Sequence, residues 1–203
     1  DKEFGLNEIK TDGIDAIIAA DSGMDFLYEN GVTPDIIVGD FDSTTTNALE
    51  YFERKGQTEI RRLNPIKDDT DTEYAIRLAI SEGARSIVLL GATGSRIDHV
   101  LGNISLLGIG LESGTDISII DTNNRIRMAD KPVTIEKSAQ YGRFVSLIAL
   151  TDDNEVSLKG FKYPVTDYSF DRFTSLGISN EIVDDHALID IHRGKFIIIE
   201  SKD

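Results

Sequence analysis

Short apolar runs alternate with stretches of helical spacing from residue 15 to residue 120. Ala16-Ile17-Ile18-Ala19-Ala20, Ile36-Ile37-Val38, Thr58 to Leu63, Ser86 to Leu90 and Asp116 to Ile120 read as strands. Between them, Asp25 to Asn30, Asn47 to Lys55, Thr72 to Glu82 and Ile97 to Leu111 read as helices. The pattern is clearest in Thr72 to Glu82, where Ala75, Ile76, Ala79 and Ile80 share one face. Gly31, Gly56 and Gly83 stand where the first three helices should end. Continuously apolar strands separated by helices predict an α/β/α domain with a mostly parallel sheet covered on both faces.

The pattern changes after about residue 125. Val133–Ile135, Phe144–Leu150, Glu155–Leu158, Ala187–Ile191 and Phe196–Ile199 are short alternating segments. Asp152-Asp153-Asn154, Lys159-Gly160 and Arg193-Gly194 supply turns between them. This predicts a C-terminal all-β sandwich or barrel, with the boundary at Lys131-Pro132. The chain thus reads as an α/β domain, 1–131, and a β-rich domain, 132–203.

The formal net charge of −15 adds a constraint, because so acidic a surface repels a nucleic-acid backbone and no basic run offsets it. Cysteine is absent, which excludes disulfide scaffolds, zinc–thiolate sites and thiol catalysis and fits a cytoplasmic protein. No run approaches the ~20 apolar residues that span a bilayer, and no signal peptide is visible. The expectation is a protein with neither nucleic-acid nor membrane partners.

Three acidic clusters carry the candidate chemistry. Gly39-Asp40-Phe41-Asp42-Ser43 follows one strand, Lys67-Asp68-Asp69-Thr70-Asp71 precedes the clearest helix, and Gly91-Ala92-Thr93-Gly94-Ser95-Arg96-Ile97-Asp98-His99 follows another strand. Ligands on open α/β sheets bind beyond the carboxyl ends of strands, so Asp21, Asp40, Asp42 and the Gly91–Asp98 loop are expected on one rim, with Asp68 and Asp71 in reach of it. Carboxylates offer hard oxygens to Mg²⁺, and a glycine turn with an arginine holds phosphates. In an extended segment Asp40 and Asp42 would point the same way and grip one cation. Each group also has a plainer use: Asp42 or Ser43 as a helix cap, one of Asp68, Asp69 and Asp71 as another, Lys67 as a surface lysine, and His99 as an ordinary helix histidine. Gly91-Ala92-Thr93-Gly94 is no P-loop, because no Gly-Lys-Ser/Thr follows. His186 and His192 read as surface residues. Ser179-Asn180-Glu181 is a polar insertion that is either a loop or a specificity element for a small polar ligand.

Taken in order, these segments resemble the thiamin pyrophosphokinase family. Ala20-Asp21-Ser22-Gly23, Pro34-Asp35, the three acidic clusters, Gly102-Asn103 and Gly177-Ile178-Ser179-Asn180-Glu181 carry the likeness, which runs from about residue 15 to the C-terminus. Two departures stand out: Ser22 occupies a position where the family often has glycine, and Asp1–Gly13 shows no clear version of the family's usual first strand. The resemblance implies transfer of a pyrophosphoryl group from ATP to the hydroxyl of thiamin, giving thiamin diphosphate and AMP, with Mg²⁺ as cofactor. It implies Asp40, Asp42 and Asp71 as metal ligands, and Arg96 and Asp98 as nucleotide- and substrate-side residues. Asp21, Lys67, Gly91, Thr93 and Gly94 fall with Arg96 on the ATP side, Asp68 or Asp98 would orient or deprotonate the thiamin hydroxyl, and Ser179 and Asn180 would bind thiamin. It also implies a homodimer in which the Ser179-Asn180 segment reaches the partner's site. Competing readings are another Mg²⁺-dependent phosphohydrolase or nucleotidyltransferase, and a non-catalytic nucleotide or thiamin diphosphate sensor.

Overall fold

β1 (Ile18–Ala20), β2 (Ile36–Gly39) and β3 (Glu59–Arg62) pair in parallel, in that order, at the centre of the first of two compact units. The coordinates are a computed structural model that describes residues 1–11, 13–41, 46–64 and 69–203. The units comprise residues 1–87 and 88–203.

In the first unit, α2 (Gly23–Glu29), α3 (Thr46–Lys55) and α4 (Asp71–Ser81) follow the three strands in turn. α2 and α4 pack on β1, α4 also touches β2, and α2 contacts α3. The core is formed by Ala19 and Ile37 from the strands, Met24 and Leu27 from α2, and Ala48 and Phe52 from α3. Burying side chains of this size contributes about 1.5–3 kcal/mol each. The segment that showed no clear strand forms a helix, α1 (Lys2–Ile9). Asp1 caps it by accepting the Phe4 N–H at 2.9 Å. Gly5 lets it lie close to α2, because a Cβ there would sit 3.3 Å from Phe26 Cζ.

The second unit is built on a six-stranded sheet and a four-stranded sheet. The larger contains β4 (Ser86–Leu90), β5 (Asp116–Ile120), β6 (Asn124–Ala129), β8 (Phe144–Ala149), β11 (Asn180–Glu181) and β13 (Phe196–Ser201), in the order β11-β8-β13-β6-β5-β4. The smaller contains β7 (Val133–Glu136), β9 (Glu155–Lys159), β10 (Val165–Ser169) and β12 (His186–Arg193), in the order β10-β9-β12-β7. Alternate residues of both sheets meet in one core: Val145, Leu147, Phe196 and Ile198 from the larger, Val156, Leu158, Ala187 and Ile189 from the smaller. β4 and β5, expected in the parallel sheet, hydrogen-bond into the six-stranded sheet instead. The division between compact units therefore falls earlier than Lys131-Pro132.

The expected helix from Ile97 to Leu111 is broken at Leu107 into α5 (Ile97–Leu106) and α6 (Gly108–Ser113). α6 lies on β5 and β6. The approach is tight enough that a Cβ on Gly110 would be 2.5 Å from the Thr115 carbonyl oxygen. At one end of the sandwich the fully buried Glu200 carboxylate accepts from Arg125 Nε and Nη2 at 2.8 and 2.7 Å, from Arg127 Nη2 at 2.9 Å, and from the Tyr141 N–H at 2.9 Å. Four donors at those lengths satisfy the buried charge.

Candidate active site

In the first unit the parallel pairing of β1 and β2 brings two predicted carboxylates to one edge. Asp21 follows β1 and Asp40 follows β2, and the Asp21 N–H donates to the Val38 carbonyl at 3.2 Å. Asp71 joins them from α4: a Cβ on Gly39 would lie 3.4 Å from Asp71 Oδ2 and 3.3 Å from Phe41 Cε1. A Cβ at position 39 would be in ordinary contact with the Asp71 carboxylate, which therefore lies close to the backbone immediately before Asp40.

Asp71 is not a helix cap. Thr70 does that work, its hydroxyl accepting from the Glu73 N–H at 3.2 Å, and Asp71 begins the helix. The Thr70-x-x-Glu73 spacing is the sequence signature of a capping box, so the expectation that an aspartate caps α4 is corrected on a signal already in the chain. A second correction concerns Phe41. Its φ of 63° is left-handed, so the backbone at Phe41 is not the extended segment expected there. The Phe41 ring instead turns onto the Arg62 guanidinium, 5.4 Å from the ring centroid. Asp42, Lys67 and Asp68 lie outside the described residues, as does Ser43.

In the second unit the loop after β4 contains Gly91, Thr93, Gly94, Arg96 and Asp98. Gly91 has φ +73°, a turn that glycine makes at little cost. The buried Ala92 turns its carbonyl to the side-chain amide of Asn103 on α5, at 2.9 Å. Arg96 immediately precedes α5 and Asp98 lies in its first turn, where they form a two-point pair: Nη2 to Oδ2 at 2.6 Å and Nε to Oδ1 at 3.2 Å. Both side chains are about two-thirds exposed. The Arg96 hydrogen bond, helped by the His99 N–H, holds the Asp98 carboxyl below the usual carboxylate range, and Asp98 in turn raises Arg96.

Ser179 and Asn180 have different local roles. Ser179 is exposed and left-handed, φ 62°, and its N–H donates to the buried Ser146 hydroxyl at 3.0 Å. Asn180 is buried, and its amide is spent on backbone. Oδ1 accepts from the N–H groups of Tyr163 and Glu181, each at 3.0 Å, and Nδ2 donates to the Tyr163 carbonyl at 2.9 Å. The Tyr163 ring is left exposed beside Lys162. Non-glycine residues with positive φ among the described residues are Asp21, Phe41, Asp167 and Ser179. Three of these stand in the predicted site segments. Such conformations cost on the order of 1–3 kcal/mol each and concentrate at functional sites.

Sequence reasoning did not single out Asp121 or Tyr163, and it named Asn103 only among the residues that carry the family likeness, with no role in the site. Asp121 directly follows β5 and accepts from the N–H groups of Asn123 and Asn124 at 2.8 and 2.7 Å. Burial opposes its charge, but hydrogen bonds from Thr93, Asn123 and Asn124 outweigh that and hold its carboxyl below the usual range. The Asp-x-Asn-Asn spacing is an Asx-turn signal that could have marked it. Ser157, His192 and Asp167 also meet on the smaller sheet. There His192 Nε2 contacts both Ser157 Oγ, at 2.9 Å, and Asp167 Oδ1, at 3.3 Å. A nucleophilic relay needs the two partners on opposite ring nitrogens, so this cluster is a polar clasp.

Comparison with known proteins follows the same segments. Residues 10–119 match the family "Thiamin pyrophosphokinase, catalytic domain", and residues 132–196 match "Thiamin pyrophosphokinase, vitamin B1 binding domain". A thiamine pyrophosphokinase of Bacillus subtilis is 34% identical over 188 residues, covering 92% of this chain and 87% of the relative. The crystal structure of a B. subtilis thiamine pyrophosphokinase superposes with a TM-score of 0.88 at 32% identity, covering 100% of this chain and 93% of that one. The thiamin pyrophosphokinase structure from Geobacillus thermodenitrificans gives 0.85 at 29% identity, covering 98% and 91%.

Proposed function

The chain belongs to the thiamin pyrophosphokinase family and transfers a pyrophosphoryl group from ATP to the hydroxyl of thiamin, and from that premise we propose how its residues divide the work. The carrying observation is the Asp71 carboxylate seated against Gly39, next to Asp40. Hard carboxylate oxygens suit Mg²⁺, which is held by one or two carboxylates and keeps several of its waters. Among the described residues no three acidic or histidine groups are gathered as a metal cluster, so Asp40 and Asp71 would hold the ion with Asp42 and phosphate oxygens completing its shell. When bound, Mg²⁺ supplies charge neutralisation on the polyphosphate.

The protein's share is positioning. The thiamin oxygen attacks the β-phosphorus, the bond from that phosphorus to the bridging oxygen of the α-phosphate breaks, and AMP leaves with that oxygen. The Gly91–Gly94 loop and Arg96 steady the phosphates, with Asp21 and Lys67 also on the ATP side, and opening of the Arg96–Asp98 pair frees both groups for substrate. Asp68 or Asp98, the latter freed from Arg96, orients the thiamin hydroxyl or takes its proton. Ser179 and the exposed Tyr163 ring face thiamin, and Asn180 acts by fixing the backbone that carries them. The two family segments, 10–119 and 132–196, support a functional division near Lys131-Pro132.

The exposed apolar residues Phe173, Leu176 and Ile178, just before Ser179, support a homodimer in which this segment serves the partner's acidic edge. A cytoplasmic location fits the ATP requirement, and among the described residues no helix is long and apolar enough to cross a membrane. The test is to incubate the protein with thiamin and ATP, with and without Mg²⁺, and to separate the products by chromatography. Equal amounts of AMP and thiamin diphosphate, formed only with Mg²⁺, are expected. ADP with thiamin monophosphate, or hydrolysis of ATP without an acceptor, would overturn the assignment.

A further inference from the structure

The loop after β4 carries a constraint that the assigned site residues do not explain. Asn103 projects from the second turn of α5 and donates its amide to the Ala92 carbonyl at 2.9 Å. The Ala92–Thr93 peptide is trans, so its C=O and N–H point in opposite directions. With the carbonyl drawn to α5, the Thr93 N–H is turned to the other side of the loop. Among the described residues the N–H groups of Thr93, Gly94 and Ser95 have no protein acceptor. Turning this peptide over changes the Ala92 ψ and the Thr93 φ, the soft backbone dihedrals on either side of it. Without an external tie, the peptide could turn over.

We propose that Asn103 is a positioning residue that sets this peptide so that the Thr93 N–H meets a phosphate oxygen of ATP. The proposal rests on the reading of Gly91–Gly94 as the phosphate loop. Asn103 touches neither substrate nor metal; it acts through the peptide plane. Asp121, beside Thr93 and itself locked to Asn123 and Asn124, steadies the same residue from the β5 side.

The test uses the whole protein with Asn103→Leu, which keeps volume and removes the amide donor, and Thr93→Pro, which deletes the N–H itself. Steady-state kinetics should show the KM for ATP raised about tenfold or more in Asn103→Leu, the loss of one hydrogen bond to a charged group. The KM for thiamin should stay within about twofold, a split that general loosening of the fold does not produce. Calorimetry with inorganic pyrophosphate should show weakening by a similar factor, and adenosine binding should be unchanged. Thr93→Pro should reproduce the effect, and the double variant should be no worse than the poorer single variant. Equal rises in both KM values, unchanged pyrophosphate affinity in either variant, or additive losses would overturn the proposal. If the wild-type protein binds pyrophosphate but forms no thiamin diphosphate, the functional reading fails while the role of Asn103 in anion binding stands.

Discussion

Replacing Asn180 by alanine separates positioning from direct contact in the proposed thiamin segment. The wild-type amide makes three hydrogen bonds, to both polar groups of Tyr163 and to the Glu181 N–H, all between 2.9 and 3.0 Å. A net value of about 1 kcal/mol per bond gives a loss of about 3 kcal/mol, and groups stranded in a buried site push the figure up. For a protein of this length each kcal/mol lowers Tm by about 2–4 °C, so a fall of about 6–12 °C is expected. Kinetics should change selectively. Tyr163 and Ser179 lose their fixed geometry, and even about 1.4 kcal/mol of lost thiamin binding is a tenfold rise in its KM. The KM for ATP should hold. The measurements are a calorimetric melting scan and initial rates with thiamin varied at saturating ATP. A lowered Tm with an unchanged thiamin KM would mean that Asn180 is only a fastener of β11. A raised KM for ATP alone would remove the segment from the thiamin site.

Three further outcomes follow. Asp71→Asn should abolish turnover at sub-millimolar Mg²⁺ while the protein still melts in one cooperative transition, because the neutral isostere keeps the side chain's shape; near-normal rates would remove Asp71 from the metal site. Arg96→Gln should move any Asp98-dependent acidic limb of the kcat/KM profile to higher pH. Asp98 has a lowered pKa, so its charge and its pairing persist at neutral pH and are lost only as pH falls through that lowered value; removing the guanidinium lets the value rise, and an unmoved limb would assign it to another group. Asp71→Asn chains and Asn180→Ala chains, mixed under conditions of proven subunit exchange and assayed at thiamin well below the raised KM, should exceed the average of the two separate preparations and regain up to roughly a quarter of wild-type activity if sites are shared across a two-fold axis; no gain over that average would show that each chain builds its own site.

Much of the fold was legible because local pattern and burial agree. Ile36–Val38 and Ser86–Leu90 are apolar runs that are strands in the structure, and the helical face of Thr72 to Glu82 matches α4. The failures share a physical cause. β6 reads poorly because Arg125 and Arg127 interrupt it, and their buried partner Glu200 lies 75 and 73 residues further on. No local pattern reports so distant a neutralising charge. β10 is nearly all exposed and carries an irregular register, so it offers little periodicity. Gly110 allows the tight approach that shapes α6, yet glycine in a helical pattern gives no hint of what it lies against. In the site, the acidic motifs were visible as types and spacings. The left-handed Phe41 and the backbone bonds of Asn180 were not, because each depends on which neighbours the residue meets in the fold.

The strand order of the larger sheet has a consequence for synthesis. β13 follows every other strand in sequence, yet it lies inside the sheet, paired along its length with β6 on one side and β8 on the other. During translation β6 and β8 emerge first and have no partner between them until residues 196–201 arrive. The nascent second unit therefore presents two unpaired strand edges and an open apolar face, the features that invite aggregation and chaperone capture. Premature termination anywhere before Phe196 leaves the same gap, and with it Arg125 and Arg127 without their buried counter-ion. The sheet can close only when its middle strand has been made, so incomplete chains carry their own mark for quality control.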